Sequence, residues 1–122
     1  MAANSETILS QQEHPGDSSA QTVTGDKYKG DGYYSRADGL HTIQYNLSGD
    51  GESNTFRGRI VIQASLATNP GTSDWFDVNA TDQTYTGSSG SFIYNFTGNY
   101  VWVRAYVEDW TDGNIASIKL NH

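Results

Sequence analysis

Cysteine is absent from this 122-residue chain, which removes disulfide frameworks, thiol nucleophiles, Cys-based zinc sites and iron–sulfur clusters. Basic residues are scarce: 7 Lys+Arg stand against 14 Asp+Glu, for a formal net charge of −7. Phosphate-backbone affinity comes from Lys and Arg neutralising phosphates, so no nucleic-acid partner is expected. Long apolar runs are missing too. Nothing approaches the roughly 20 residues that span a bilayer as a helix, and no membrane partner is expected. Met1 to Glu6 lack the basic region and apolar stretch of a signal peptide.

What is present is small and polar. Thirteen Ser, 12 Thr, 9 Asn and 13 Gly dominate, while only 21 residues are charged. Such a turn-rich, weakly charged composition is that of an all-β protein, and the length suffices for one core.

The chain divides in two. Residues 1–32 are read as an N-terminal arm, extended or disordered, because Met1 to Ala20 offers only Ile8 and Leu9 as sizeable apolar residues besides Met1. Either the arm is a free terminus, or it orders against a neighbouring subunit with Ile8 and Leu9 as its anchor. Residues 33–122 are read as an antiparallel β-sandwich, jelly-roll or immunoglobulin-like, since strand-like runs alternate with Gly/Asp/Asn/Ser turns at short intervals.

Strands are expected at Thr22 to Tyr28, Leu40 to Leu47 and Phe56 to Leu66, with short ones around Trp75 to Val78 and Gln83 to Thr86. His41, Ile43, Tyr45 and Leu47 share one face of theirs, with clean period-2 alternation. Phe56, Gly58, Ile60, Ile62, Ala64 and Leu66 share another, and a polar loop or hairpin tip is expected over Ser48 to Asn54. Phe92, Tyr94 and Phe96 alternate in a strand that Thr97-Gly98-Asn99 turns into Tyr100 to Val107 as a tight hairpin. Trp110 to Asn114 reads as a second hairpin turn, before a closing strand with Ala116, Ile118 and Leu120 inward. No window carries convincing helical periodicity.

Catalytic groups are scattered. Asp74 and Asp77 flank Trp75-Phe76, but three-residue spacing in an extended segment sends them to opposite faces, and Asp favours turns and strand ends. His14, His41 and His122 have no Cys, His or carboxylate at ligand-like or triad-like spacing. Glu108, Asp109, Asp112 and Asn114 form an acidic stretch without the full ligand spacing of a calcium loop. The expectation is therefore no catalytic residue, no cofactor and no metal: a protein that is not an enzyme.

The strand beginning at Tyr100 is more informative. Val101, Val103, Ala105 and Val107 make an aliphatic face, and Tyr100, Trp102, Arg104 and Tyr106 the opposite one. Tyr, Trp and Arg are the types enriched in binding hot spots. Either these four are an interaction surface, for a subunit or a sugar, or the aromatics fill the core and the small aliphatics pack under a loop.

Three segments carry a resemblance. Phe56 to Pro70 continued by Ser73 to Val78, Phe96 to Val107 with Gly113 to Ile115 and Ile118 to His122, and Asp38 to Tyr45 resemble small β-rich structural proteins of tailed phages, particularly those infecting cyanobacteria. The resemblance covers residues 30 to 122 and brings no catalytic motif. It implies a virion component, assembled in the host cytoplasm. A small acidic sandwich with a polar arm suits a capsid decoration (cement) protein. Its expected partner is the major capsid protein or another virion protein, and its expected state a homo-oligomer, dimer or trimer. A tail, neck or baseplate accessory and a carbohydrate-binding host-attachment module are the alternatives.

Overall fold

The computed structural model describes residues 5–15, 19–34, 39–48 and 55–122. The described residues form eleven strands: β1 (Glu6–Leu9), β2 (Gln12–Glu13), β3 (Gln21–Thr24), β4 (Tyr28–Lys29), β5 (Leu40–Ser48), β6 (Phe56–Ser65), β7 (Phe76–Asp77), β8 (Gln83–Ser88), β9 (Gly90–Thr97), β10 (Trp102–Asp112) and β11 (Asn114–Asn121). The only helical pieces among the described residues are two short 3-10 segments, Asp31–Tyr34 and Asn79–Thr81. The strands build a β-sandwich of two antiparallel sheets. In the first the order is β1-β11-β5-β9, with β2 beside β1 on β11. The second runs β3-β10-β6-β7, with β4 also on β10 and β8 also on β6.

Alternation explains the packing. In β5, His41, Ile43, Tyr45 and Leu47 are all buried, and across the sandwich β6 contributes Phe56, Ile60, Ile62 and Ala64 and β10 contributes Val103, Ala105 and Val107. One face of each sheet therefore meets the other, the usual outcome for strands with a single apolar side. Leu66, expected inward, is 64% exposed, because the ladder of β6 ends at Ser65.

The arm is the first correction. Rather than a separate extension, its described residues supply β1 and β2 to the first sheet and β3 and β4 to the second. A register shift between Thr7 and Leu9 turns both Ile8 and Leu9 inward, and they are 2% and 7% exposed in the chain's own core. In this fold they face the chain's own core rather than outward toward a neighbour. Sequence composition missed this because β1 needs only two apolar residues when β11 supplies the ladder and the core supplies the contacts.

The expected hairpins are the second correction. β9 pairs with β5 and β10 with β6, so Thr97-Gly98-Asn99 carries the chain from one sheet to the other. Gly98 N–H bonds to Gly39 O at 3.0 Å and Val101 N–H to Ser65 O at 3.0 Å, fixing the two ends of that passage on different sheets. Asp112-Gly113 is likewise a crossing, since β11 pairs with β5. Gly113 has φ +77°, and a Cβ there would lie 2.5 Å from the Phe56 backbone, so the crossing demands glycine.

Two bulges reset the alternation. Asp109, at φ 52°, interrupts the β10 ladder and sends Trp110 into the core, 2% exposed. In β11 the register skips Ala116, which is exposed, while Ile115, Ile118 and Leu120 are buried. Ala116 is therefore not inward as expected. The loop expected over Ser48 to Asn54 lies outside the described residues from 49 to 54.

Candidate functional site

Two loci gather chemically capable side chains. The first is the outer face of the second sheet. Because Val103, Ala105 and Val107 point into the core, Trp102, Arg104 and Tyr106 stand on the opposite side, each half-buried. Across the ladder, Arg104 faces Gln63 and Tyr106 faces Val61. Arg104 Nε donates to Gln63 Oε1 at 2.9 Å, and its guanidinium lies 4.3 Å from the Trp75 ring centre. Partial burial lowers the Arg104 pKa.

Trp102 is held from several directions. Its Nε1 donates to Thr68 O at 3.0 Å, Lys27 Nζ sits 4.6 Å from its ring centre, and the Tyr33 ring packs at 5.2 Å. Lys29 Nζ in turn lies 4.5 Å from the Tyr33 ring. Three of the chain's seven basic residues, Lys27, Lys29 and Arg104, thus interleave with Trp75, Trp102 and Tyr33. Cation–π contacts of this kind hold the rings in fixed orientations. A groove of about 340 Å³, lined by Glu6, Lys27, Tyr28, Lys29, Tyr34 and Trp102, opens beside them.

Tyr100 does not belong to this face. It precedes β10 and packs against the core, 6.3 Å from Phe96 and 5.7 Å from Phe76 between ring centres. Trp75 and Tyr33 take its place, and alternation could not have shown them because they reach the face from a loop and a 3-10 segment.

The far end of the same face is anionic. Arg59 donates from Nε to Asp82 Oδ1 at 2.8 Å and from Nη2 to Asp77 Oδ2 at 3.0 Å, and also engages Glu108. The hydrogen bond to Asp82 leads the contributions that raise the Arg59 pKa, so this guanidinium stays charged. Asp77 is thereby a strand-end partner of Arg59, while Asp74 Oδ2 accepts from Gly71 N–H at 2.7 Å in a turn; the two carboxylates do not converge. The acidic stretch disperses as well: Glu108 turns to Arg59, and Asn114 Oδ1 accepts from His14 N–H at 3.1 Å.

The second locus was not visible in the sequence. Asp31, His41 and His122 come together so that one ligand atom from each lies within 4.8 Å of the others. Asp31 sits in the 3-10 segment after Gly30, and Gly30 and Gly32 N–H groups bond to Val101 O and Tyr100 O at 2.9 Å each. A Cβ at Gly32 would stand 2.1 Å from Asn99 O, so only glycine lets this segment press so closely. His41 lies on the inward face of β5, stacked flat on Phe96 at 4.6 Å. His122 follows β11 and stacks with His41 at 5.4 Å and with Tyr34 at 5.9 Å.

The hydrogen bonds around these rings are directional. His41 Nδ1 is 2.8 Å from Gly39 O, and a carbonyl only accepts, so Nδ1 carries the hydrogen. His41 Nε2 then accepts from Asp31 N–H, at a long 3.4 Å. His122 Nδ1 lies 2.7 Å from Asp31 Oδ1, and its Nε2 lies 3.5 Å from Glu6 Oε1. The absence of ligand-like spacing in the sequence is overridden by the fold, which brings positions 31, 41 and 122 to one end of the sandwich.

No family model, curated protein or solved structure matches the chain.

Proposed function

We propose that this chain is a non-catalytic structural protein of a tailed-phage particle, a decoration protein that stabilises the head through contacts made by the outer face of its second sheet. The observation that carries the reading is the group of Trp102, Trp75 and Tyr33 interleaved with Lys27, Lys29 and Arg104 on a chain that is otherwise acidic. Tyr, Trp and Arg dominate the energetics of protein contacts, and rings already fixed by neighbours lose little entropy on binding. The sequence resemblance to phage structural proteins supplies the setting, with the major capsid protein or another virion protein as partner. The interaction set differs from the expected one: Ile8, Leu9 and Tyr100 serve the core, leaving Trp102, Arg104 and Tyr106 joined by Trp75 and Tyr33. Symmetric self-association as a dimer or trimer fits such a role.

A second reading uses the same rings. The groove between Trp102 and Tyr34 offers stacking surfaces beside Lys27, Lys29 and Glu6, a combination suited to a sugar, which would make the chain a carbohydrate-binding attachment module. One experiment separates the two. Purified protein is added to phage heads lacking it, and to host polysaccharide. The decoration reading expects saturable, stoichiometric binding to heads with a raised head melting temperature, weakened at least tenfold by Trp102→Ala. Retention on polysaccharide instead, lost in the same variant, favours the attachment module. Binding confined to tails or baseplates moves the role there, and no head binding at micromolar concentration overturns the decoration reading.

A further inference from the structure

We propose that Asp31, His41 and His122 form a binding site for a first-row divalent transition metal, with zinc as the ion of choice. The donor set is two imidazoles and one carboxylate, the combination that suits zinc and its neighbours rather than calcium or magnesium, which take all-oxygen shells.

The argument rests on how the donors are held. Metal-bound imidazoles characteristically give their second N–H to a carbonyl or carboxylate, which fixes the tautomer and aims the lone pair. His41 has that partner in Gly39 O, and His122 has the Glu6 carboxylate 3.5 Å from Nε2. His41 Nδ1 is engaged by Gly39 O at 2.8 Å, directing Nε2 toward Asp31. His122 presents Nδ1 to Asp31 and Nε2 to Glu6, so Glu6 is placed as the outer carboxylate of a carboxylate–histidine–metal relay. Asp31 and His41 are 1% and 0% exposed, and a buried carboxylate is stabilised by a cation at close range.

Geometry asks for a modest closure. Donor atoms around a tetrahedral zinc ion stand about 3.3 Å apart, given metal–ligand distances of about 2.0–2.1 Å, against a present spread within 4.8 Å. Asp31 Oδ1 and His122 Nδ1, hydrogen-bonded at 2.7 Å, would instead move slightly apart. The ion would take over the His41 Nε2 lone pair, which lies a long 3.4 Å from Asp31 N–H. His122 lies just beyond the last ladder residue, Asn121, and can swing without breaking the sheet. The bound ion would tie β5, the end of β11 and the Asp31–Tyr34 segment together. The role is structural.

The test uses untagged, chelator-treated full-length protein titrated with zinc chloride by calorimetry, and with cobalt chloride by visible absorption. Expected are one ion per chain with Kd in the micromolar range or below, a zinc-dependent rise in melting temperature, and a cobalt d–d band. Asp31→Asn and His122→Gln should each weaken zinc at least tenfold and abolish the band; Glu6→Gln, acting through His122, should weaken it about tenfold. His14→Gln, away from the cluster, should leave affinity unchanged. His122→Gln lies outside the ladder, so its loss of binding is measurable on a folded protein, checked by an unchanged circular dichroism spectrum. Absence of zinc binding at 100 µM overturns the proposal. So does binding that survives Asp31→Asn and His122→Gln, or binding that His14→Gln removes.

Discussion

At the scale of single residues, two positions make sharp demands. Asp109 holds φ 52° so that Trp110 can turn inward and donate its Nε1–H to Asp112 O and Gly113 O. Left-handed backbone costs an ordinary L-residue roughly 1–2 kcal/mol, less for Asp and nothing for Gly. Asp109→Gly should leave stability unchanged or raise it slightly, whereas Asp109→Val should lower it by about 1–2 kcal/mol, as read by urea unfolding. Tyr45 makes a different demand. Burial raises its phenol pKa far above the usual value, and its hydroxyl donates to Thr81 O. The unfolded chain ionises this group near pH 10 while the folded one keeps its proton, so the associated stability is intact below pH 10 and declines as pH climbs beyond it. The slope is about 1.4 kcal/mol per pH unit for one such tyrosine. Melting curves between pH 9 and 11.5 should therefore fall less steeply for Tyr45→Phe than for the parent chain.

At the scale of elements, β1 shows how little sequence a strand needs. Its four residues borrow a ladder from β11 and lend Ile8 and Leu9 to the core. Truncating a buried Ile or Leu to Ala costs about 2–5 kcal/mol, so Ile8→Ala should destabilise the whole domain by that amount in equilibrium unfolding; a change below 0.5 kcal/mol would show that β1 does not hold the core. Long alternating runs were legible: β5 and β6 stand within a residue of where period-2 patterning put them, and the aliphatic side of β10 faces the core. Pairing was not. Alternation says which face a residue occupies within its own strand but not which sheet that strand joins, and the turn chemistry of Gly98-Asn99 or Asp112-Gly113 serves a crossing as well as a hairpin. Bulges are equally silent, since Ala116 reads as inward until the ladder skips it. The Asp31, His41 and His122 cluster was illegible for the same reason: its spacing of 10 and 81 residues acquires meaning only when β5, β11 and the 3-10 segment are placed side by side.

At the scale of the molecule, the scarcity of charge proves unevenly distributed. Three cations sit among the aromatic rings at one end of the outer face, and Arg59 is ringed by three carboxylates at the other, giving that surface a direction. The path of the chain has a direction too. Between β2 and β3, β4 and β5, β5 and β6, β8 and β9, β9 and β10, and β10 and β11 it changes sheets, and β1 to β4 find their partners only on β10 and β11. During synthesis, which proceeds at about 5–20 residues per second, the strands made first have no ladder until the strands made last emerge. Ile8, Leu9 and Val23 therefore spend seconds without a partner, and the sandwich closes as one late event rather than growing outward from a first hairpin.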